Sequence, residues 1–561
     1  MGGLRPALFS IRDGAMLKIF CAALLAGGAG SAYAQIVPGS PAGLLIDQGR
    51  IDRLPSQTPP PMVQPSNAVP DHVTSVDKGV GDHAVTIRGV RFDGSEVPER
   101  VGDAARPFLG RPATTETLSL LANAMSTAYG KSAVALYTLA IPAQSFAGGV
   151  VHVRVAEGYV EQAIVTGDVT HSSVKLVQQY AATLAAERPL RRASLQRCLS
   201  LIRDIPGLTV DVKLLRGSRP GAVKLVLILK QKTHAVSLSF DNRTQEGLAQ
   251  GEFNATGKLY GALRPGDETD LNLATAANFR NYGYAGLTHS TPIGHNGTRA
   301  SVSIAHLNTR ARHSHVKGNA DILSFSISHP LIRSYTRNLL LSLSIDGVNS
   351  DNAVLGSLLS RERTRAVRGA ASFTDAGAKH SLAASLTVSR GLDIANADTD
   401  LTFADPRFIK VNGRVSLDRA LGKRFVARLA GAGQWADDAL PAVERFIVGG
   451  ADFGRAYPVA LLAGDRGAAG SAELAWRPPL PKAFEQSELY IFGDKATAHY
   501  LERGPFPAAD YDIASAGVGV RVAWLQKAQL DLEGARRLER PYAGYEKGWQ
   551  LNVAWRLSLG R

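Results

Sequence analysis

With 561 residues the chain is too long for one compact domain, and no run of eighteen apolar residues follows the first forty positions. A membrane-spanning helix is therefore excluded from the body of the chain. The formal charge of +14 raises nucleic acid as a partner, yet Lys and Arg are scattered over strand ends and loops, with no basic helix or Lys-rich tail, which argues against it.

Arg5, Arg12 and Lys18 precede the apolar run 19–25, and Ala32-Tyr33-Ala34 offers an A-x-A cleavage site. Residues 1–34 therefore read as a secretory signal peptide. Cys21 falls inside it and Cys198 stands alone in a predicted helix, so no internal disulfide framework is expected and Cys198 reads as a small core residue. Residues 35–54 hold a short amphipathic helix with Leu44, Leu45, Ile51 and Leu54 on one side. The stretch 55–83 is Pro-rich, with Pro59-Pro60-Pro61, and reads as a semi-rigid tether.

Residues 84–158 read as strand, two helices and two strands. The strand is 84–92, and the helices are 97–109 and 115–129. Residues 159–232 repeat that order, with helices over 173–184 and 192–205. A tandem βααββ unit is an internal repeat, and a small sheet with helices on one face offers an edge to an extended partner segment.

From Val236 onward the pattern is period-two alternation to the end of the chain, and sixteen candidate strands can be counted in 233–561. Such a chain fits an outer-membrane β-barrel, because a closed ring satisfies every backbone polar group that faces lipid. Connections after even strands are short; several after odd strands are long, notably 347–362, 390–408, 435–470 and 495–513. By that parity the short turns are periplasmic, and 437–469 is the sixth external loop. The last strand carries Trp549, Leu551, Val553, Trp555, Leu557 and Leu559 in strict alternation.

The sixth loop contains Arg445-Phe-Ile-Val-Gly-Gly-Ala-Asp-Phe-Gly-Arg-Ala-Tyr-Pro458 and then Gly464-Asp465. Gly449, Gly450 and Gly454 permit sharp backbone bends around a single cation, Arg455, flanked by Phe453, Ala456 and Tyr457. No H-E-x-x-H, paired Cys/His spacing, G-x-S-x-G elbow, P-loop or dinucleotide fingerprint stands in a suitable context. Neither a metal, a cofactor nor an enzymatic activity is therefore expected.

In the order of its motifs the chain resembles the two-partner secretion transporters of the hemolysin-activator type. The marks are Ile141-Pro-Ala-Gln144 with Val155-Ala-Glu-Gly158, Leu201-Ile-Arg-Asp-Ile-Pro-Gly207, Asp241-Asn242, Pro292-Ile-Gly294 and His329-Pro-Leu-Ile-Arg333. The resemblance implies a 16-stranded barrel behind two periplasmic POTRA domains, 84–158 and 159–232, with helix 35–54 plugging the lumen at rest. It implies export of a large partner exoprotein, β-helical and recognised in the periplasm, through a barrel embedded in outer-membrane lipids. The alternatives are an assembly factor of the same superfamily and a diffusion porin. The family's valine-arginine-glycine-aromatic loop tip corresponds here to Gly454-Arg455-Ala456-Tyr457, and its Phe-x-Asp-x-Gly strand motif to Phe492-Gly-Asp494-Lys-Ala496, whose last glycine is alanine. The resemblance implies that Arg455 pairs with Asp494 and so locks the infolded loop.

Overall fold

The structure is a computed structural model that describes residues 72–77, 82–168, 171–245, 247–312, 315–355, 357–399, 403–525 and 527–559. The expected signal peptide, plug helix and most of the Pro-rich tether lie outside the described residues.

The first unit is a four-stranded sheet in the order β1-β5-β6-β3. It comprises β1 (His72–Val76), β3 (Gly89–Gly94), β5 (Tyr137–Ile141) and β6 (Val150–Glu157), with β2 (Asp82–Thr86) paired separately to β4 (Pro112–Thr114). Helices α1 (Glu99–Ala105) and α2 (Thr115–Gly130) cover the sheet. Thr114 caps α2 by accepting the Thr117 N–H at 3.2 Å, and Leu118, Leu121 and Met125 are buried against Leu139 and Val151. Two expectations change here. Residues 72–76, read as tether, form a strand parallel to β5, because His-Val-Thr-Ser-Val is proline-free and β-prone and Val76 joins the core. The single strand expected over 84–92 is divided at Ile87, which turns inward and is 1% exposed.

The second unit has the three-stranded order β7-β9-β8, from β7 (Tyr159–Asp168), β8 (Leu208–Arg216) and β9 (Ala222–Gln231). Its helices are α3 (His171–Ala185) and α4 (Arg192–Arg203). Cys198 is buried under α3, its thiol donating to the Tyr180 carbonyl at 3.3 Å, and burial pushes its pKa up to about 12.

The remainder closes into a barrel of sixteen strands. In order they are β10 (His234–Asp241), β11 (Glu252–Tyr260), β12 (Glu268–Ala276), β13 (Tyr282–Ile293), β14 (Thr298–Arg310), β15 (Val316–Arg333), β16 (Arg337–Val354) and β17 (Ser357–Ala376). They continue as β18 (His380–Gly391), β19 (Ile409–Leu421), β20 (Phe425–Ala436), β23 (Arg466–Trp476), β24 (Glu488–Tyr500), β25 (Ala509–Trp524), β26 (Ala528–Arg537) and β27 (Trp549–Leu559). Neighbours are antiparallel, and the ring closes where β10 meets β27, from Val236 opposite Leu559 to Asp241 opposite Ala554.

Each barrel strand matches one expected from the alternation. The connection expected over 347–362 is instead a hairpin, because β16 runs to Val354 and β17 begins at Ser357. The polar run there continues the period of two: Ser350, Asn352, Glu362 and Thr364 are buried inward, so polarity marks a lumen face, not a loop. The sixth loop likewise ends at residue 465, with 466–469 belonging to β23.

Candidate functional site

The sixth loop does not project from the barrel; it folds back into the lumen. After β20 it makes a 3₁₀ turn, Ala442–Glu444, and then a hairpin of β21 (Phe446–Val448) and β22 (Leu462–Gly464). Leu440, Val443, Val448, Phe453, Tyr457 and Leu462 are all buried, which accounts for the direction of the fold. Gly449 and Gly450 stand at φ +105° and +107° between hairpin and tip, and a Cβ at Gly449 would lie 2.3 Å from the Pro458 carbonyl oxygen. Only glycine suits that position. Gly454, also at positive φ, brings the tip against Ile513 of β25.

Asp494, on β24, reaches the tip through the loop's backbone. Its Oδ1 accepts the Gly454 N–H at 2.7 Å, its Oδ2 accepts the Arg455 N–H at 3.4 Å, and Ser515 donates its hydroxyl to both oxygens. The Arg455 guanidinium passes beyond it. Nη1 donates to Glu473 Oε2 at 3.0 Å and to Glu533 Oε2 at 3.2 Å, and the group lies 4.4 Å above the Phe492 ring. Arg455 and Asp494 thus meet main chain to side chain, where side-chain pairing was expected. The physical reason is occupancy: two N–H groups and a hydroxyl already fill the Asp494 oxygens. The tip is completed by Asn552 donating to the Arg455 carbonyl at 2.9 Å, Arg537 to the Ala456 carbonyl at 3.0 Å, and the Tyr457 hydroxyl to the carbonyls of Ala514 and Glu539.

Of the other residues singled out in the sequence, Gly464 and Asp465 lie away from the tip, at the loop's root. Asp465 is fully buried; it accepts N–H groups of Leu440 and Leu501, each at 2.8 Å, and pairs with the Arg503 guanidinium. The root also holds a group of residues that the sequence reading did not anticipate. Glu444 is gripped by Arg368 at 2.8 and 3.0 Å and by Lys410 at 2.6 Å, while Arg368 grips Asp346 at 2.7 and 2.8 Å. Their side chains are 0–5% exposed. The available signal was a charge at an inward position of β16, β17 and β19, namely Asp346, Arg368 and Lys410.

Toward the short-turn end of the lumen the charges form a second layer. Arg428 and Arg521 each lie 2.7 Å from both Glu473 and Glu488, and Arg521 also lies 3.1 Å from Asp531. A cavity of about 960 Å³ opens below Arg455, lined by Arg428, Arg521, Glu473 and Glu488 and by Lys423, Arg424 and Arg477. The loop tip is therefore the ceiling of a polar chamber that faces the two N-terminal units' side of the barrel.

Residues 223–522 match a family model described as haemolysin secretion/activation protein ShlB/FhaC/HecB. The chain belongs to that family. As a ShlB/FhaC/HecB member it is an outer-membrane two-partner secretion transporter, which exports a partner exoprotein; the family's members are transporters. Among curated relatives, the heme/hemopexin transporter protein HuxB of Haemophilus influenzae is 22% identical over 431 residues, 73% of this chain and 74% of the relative. Among solved structures, CdiB from Escherichia coli superposes with a TM-score of 0.66 at 16% identity, covering 86% of this chain and 92% of that one. CdiB from Acinetobacter baumannii gives 0.61 at 16% identity over 92% and 96%. BamA from Haemophilus ducreyi lacking POTRA domains 1–3 gives 0.52 at 14% identity over 85% and 100%. These structural likenesses concern the fold; the ShlB/FhaC/HecB match selects secretion over barrel assembly or simple diffusion.

Proposed function

We propose that the infolded sixth loop is the gate of this transporter, and that Arg455 and Asp494 hold its tip against the wall in the one register from which it works. The two N-terminal units act as POTRA domains that take up the client's extended segment by strand addition. With β1 paired to β5 in the first unit, the edges open to that addition are β1 or β3 there and β7 or β8 in the second. The client is a large exoprotein of β-helical build, and the protein carries out no chemical reaction on it. Its folding outside the cell draws the chain through, since the chain holds no nucleotide-binding motif.

The observation that carries this reading is the Arg455 guanidinium held between two buried glutamates at 3.0 and 3.2 Å, with the tip's N–H groups on Asp494. A guanidinium with two carboxylate partners fixes a long loop in one register. Replacing it frees the tip without opening a strand. Arg455→Ala is expected to lower secreted client at least tenfold while the protein still inserts and migrates as a heat-modifiable barrel. Normal secretion by that variant overturns the gate assignment.

A further inference from the structure

The outward faces of adjacent strands mark where the lipid-facing band ends. On β17 Phe373, Ala371, Gly369 and Val367 point outward, followed by Arg365 and Arg363. On β18 Leu386 and Val388 are 53% and 47% exposed, and Arg390 follows. On β16 Leu343 and Ile345 give way to Gly347 and Asn349; on β15 Phe325 and Leu323 give way to Asp321. Apolar residues therefore stop at a common boundary on the side of the external loops, and three arginines stand just beyond it on two neighbouring strands.

The register brings those arginines together. Arg390 is opposite Val367, and the Leu392 N–H continues the pairing by donating to the Arg365 carbonyl at 2.8 Å. Arg390 and Arg365 are thus diagonal neighbours, about 7 Å apart on one face, and Arg363 lies two residues further up β17 at about the same spacing. Arg365 is held in place: its stem crosses Gly347, where a Cβ would be 3.2 Å from Arg365 Cδ. Its guanidinium donates to the carbonyls of Thr364 at 2.8 Å and Val348 at 3.3 Å, and to Asn349 Oδ1 at 2.9 Å. All three acceptors are neutral, so hydrogen bonding positions the charge and, among the described residues, no ion pair compensates it. Arg361, one step further out, is different, because it pairs with Asp351 at 3.2 Å. Asp398 meets Arg363 through paired backbone groups at 2.7 and 3.0 Å and, among the described residues, forms no ion pair with it.

A fixed guanidinium beside two others, at the upper rim of an apolar wall, matches a ligand with phosphate above acyl chains. We propose that Arg363, Arg365 and Arg390 form a binding site for the phosphates of an outer-leaflet glycolipid, whose chains lie on Val367, Leu386 and Val388. The site rests on the outer-membrane orientation and is independent of the gate.

The test uses the full-length protein purified in a non-ionic detergent and titrated in native mass spectrometry with bisphosphorylated lipid A, dephosphorylated lipid A and inorganic phosphate. Wild type is expected to retain bisphosphorylated lipid A, and the triple variant R363Q/R365Q/R390Q to bind it about tenfold more weakly. Dephosphorylated lipid A should bind both proteins equally and poorly, and R361Q, which removes a cation already paired, should behave as wild type. Equal binding by wild type and the triple variant, or an equal loss in R361Q, overturns the site. Displacement of the lipid by equimolar inorganic phosphate refutes the lipid and leaves a bare anion site. Heat-modifiable migration checks that each variant is folded, and client secretion is measured in the same strains, so that loss of lipid binding is told apart from failure of the transporter itself.

Discussion

Glu473 is shared by three guanidiniums, those of Arg428, Arg455 and Arg521, at 2.7 to 3.0 Å. Breaking an isolated buried pair costs about 3–5 kcal/mol because one charge is left bare. Here two cations remain on Glu473 after Arg455 is lost, and Glu533 keeps the Tyr490 hydroxyl at 3.0 Å and Asn552 at 3.0 Å. The barrel should therefore survive a loss that the loop tip does not. Asp494 works through hydrogen bonds to main chain, so its geometry counts for more than its charge. Asp494→Asn keeps an oxygen for the Gly454 N–H, whereas Asp494→Ala leaves that buried donor unsatisfied at about 1–3 kcal/mol. Client in the culture medium is expected near the wild-type level for Asp494→Asn and several-fold lower for Asp494→Ala. Equal loss in both would show that the charge itself is needed.

At the scale of the element, loop six is a hairpin fastened at both ends, with the Gly449-Gly450 pair between its root and its tip. The root is the drier end: Lys410 is fully buried and reaches both the carboxylate and the carbonyl of Glu444. Glu444→Gln takes the carboxylate away from Lys410 and Arg368 together. Lys410→Met leaves Glu444 in the grip of Arg368. The denaturation temperature read from heat-modifiable migration should thus fall further for Glu444→Gln than for Lys410→Met. The double variant should be more stable than Glu444→Gln alone, with coupling of about 1–3 kcal/mol; strictly additive losses would mean that the two side chains do not share their stability. This cluster was hidden in the sequence for a physical reason. Arg368 and Glu444 are 76 residues apart, and each strand charge read singly looks like solvated surface. The tip was legible because Gly449, Gly450, Gly454 and Arg455 are adjacent, and the strands were legible because one buried face imposes a period of two over long runs. That same period, followed through Ser350 and Asn352, would have shown β16 continuing where polar composition suggested a loop. The side-chain partner of Arg455 was not readable, since it depends on which acceptors the backbone had already filled at Asp494.

At the scale of the molecule, what matters is how the second unit is held beneath the barrel's mouth. Its α4 residue Leu201 and α3 residue Leu176 press on the short turns at Gly297 and Gly266, with Pro292 and Pro330 beside them. Arg197 donates to the carbonyls of Leu331 and Asn296 at 3.3 and 3.2 Å, and Arg333 pairs with Asp204. That ion pair is 21% and 43% exposed at its two side chains, so solvent screening leaves it about 0–1 kcal/mol. The apolar contact must then carry most of the docking, and it depends on the absence of side chains in the turns. Gly297 stands at φ +86°, and a Cβ there would fall 2.4 Å from Leu201 Cδ2 and 2.7 Å from Pro330 Cγ. Gly297→Ala combines an unfavourable backbone with a collision at the interface, and it should push the unit off its turns while the barrel strands stay paired. The unit joins the barrel through Lys232, whose N–H donates to the Gly207 carbonyl at 2.8 Å. Loosened docking should expose that junction to trypsin. Gly297→Ala is expected to raise cleavage after Lys232 severalfold and to lower client secretion at unchanged heat stability of the barrel. Arg333→Gln, which removes only the screened pair and its local hydrogen bonds, should change cleavage far less. If the two variants were cut alike, docking would rest on charge and the glycine turns would be incidental. If Gly297→Ala loosened the unit and secretion held, a client could enter the chamber without a fixed approach from below.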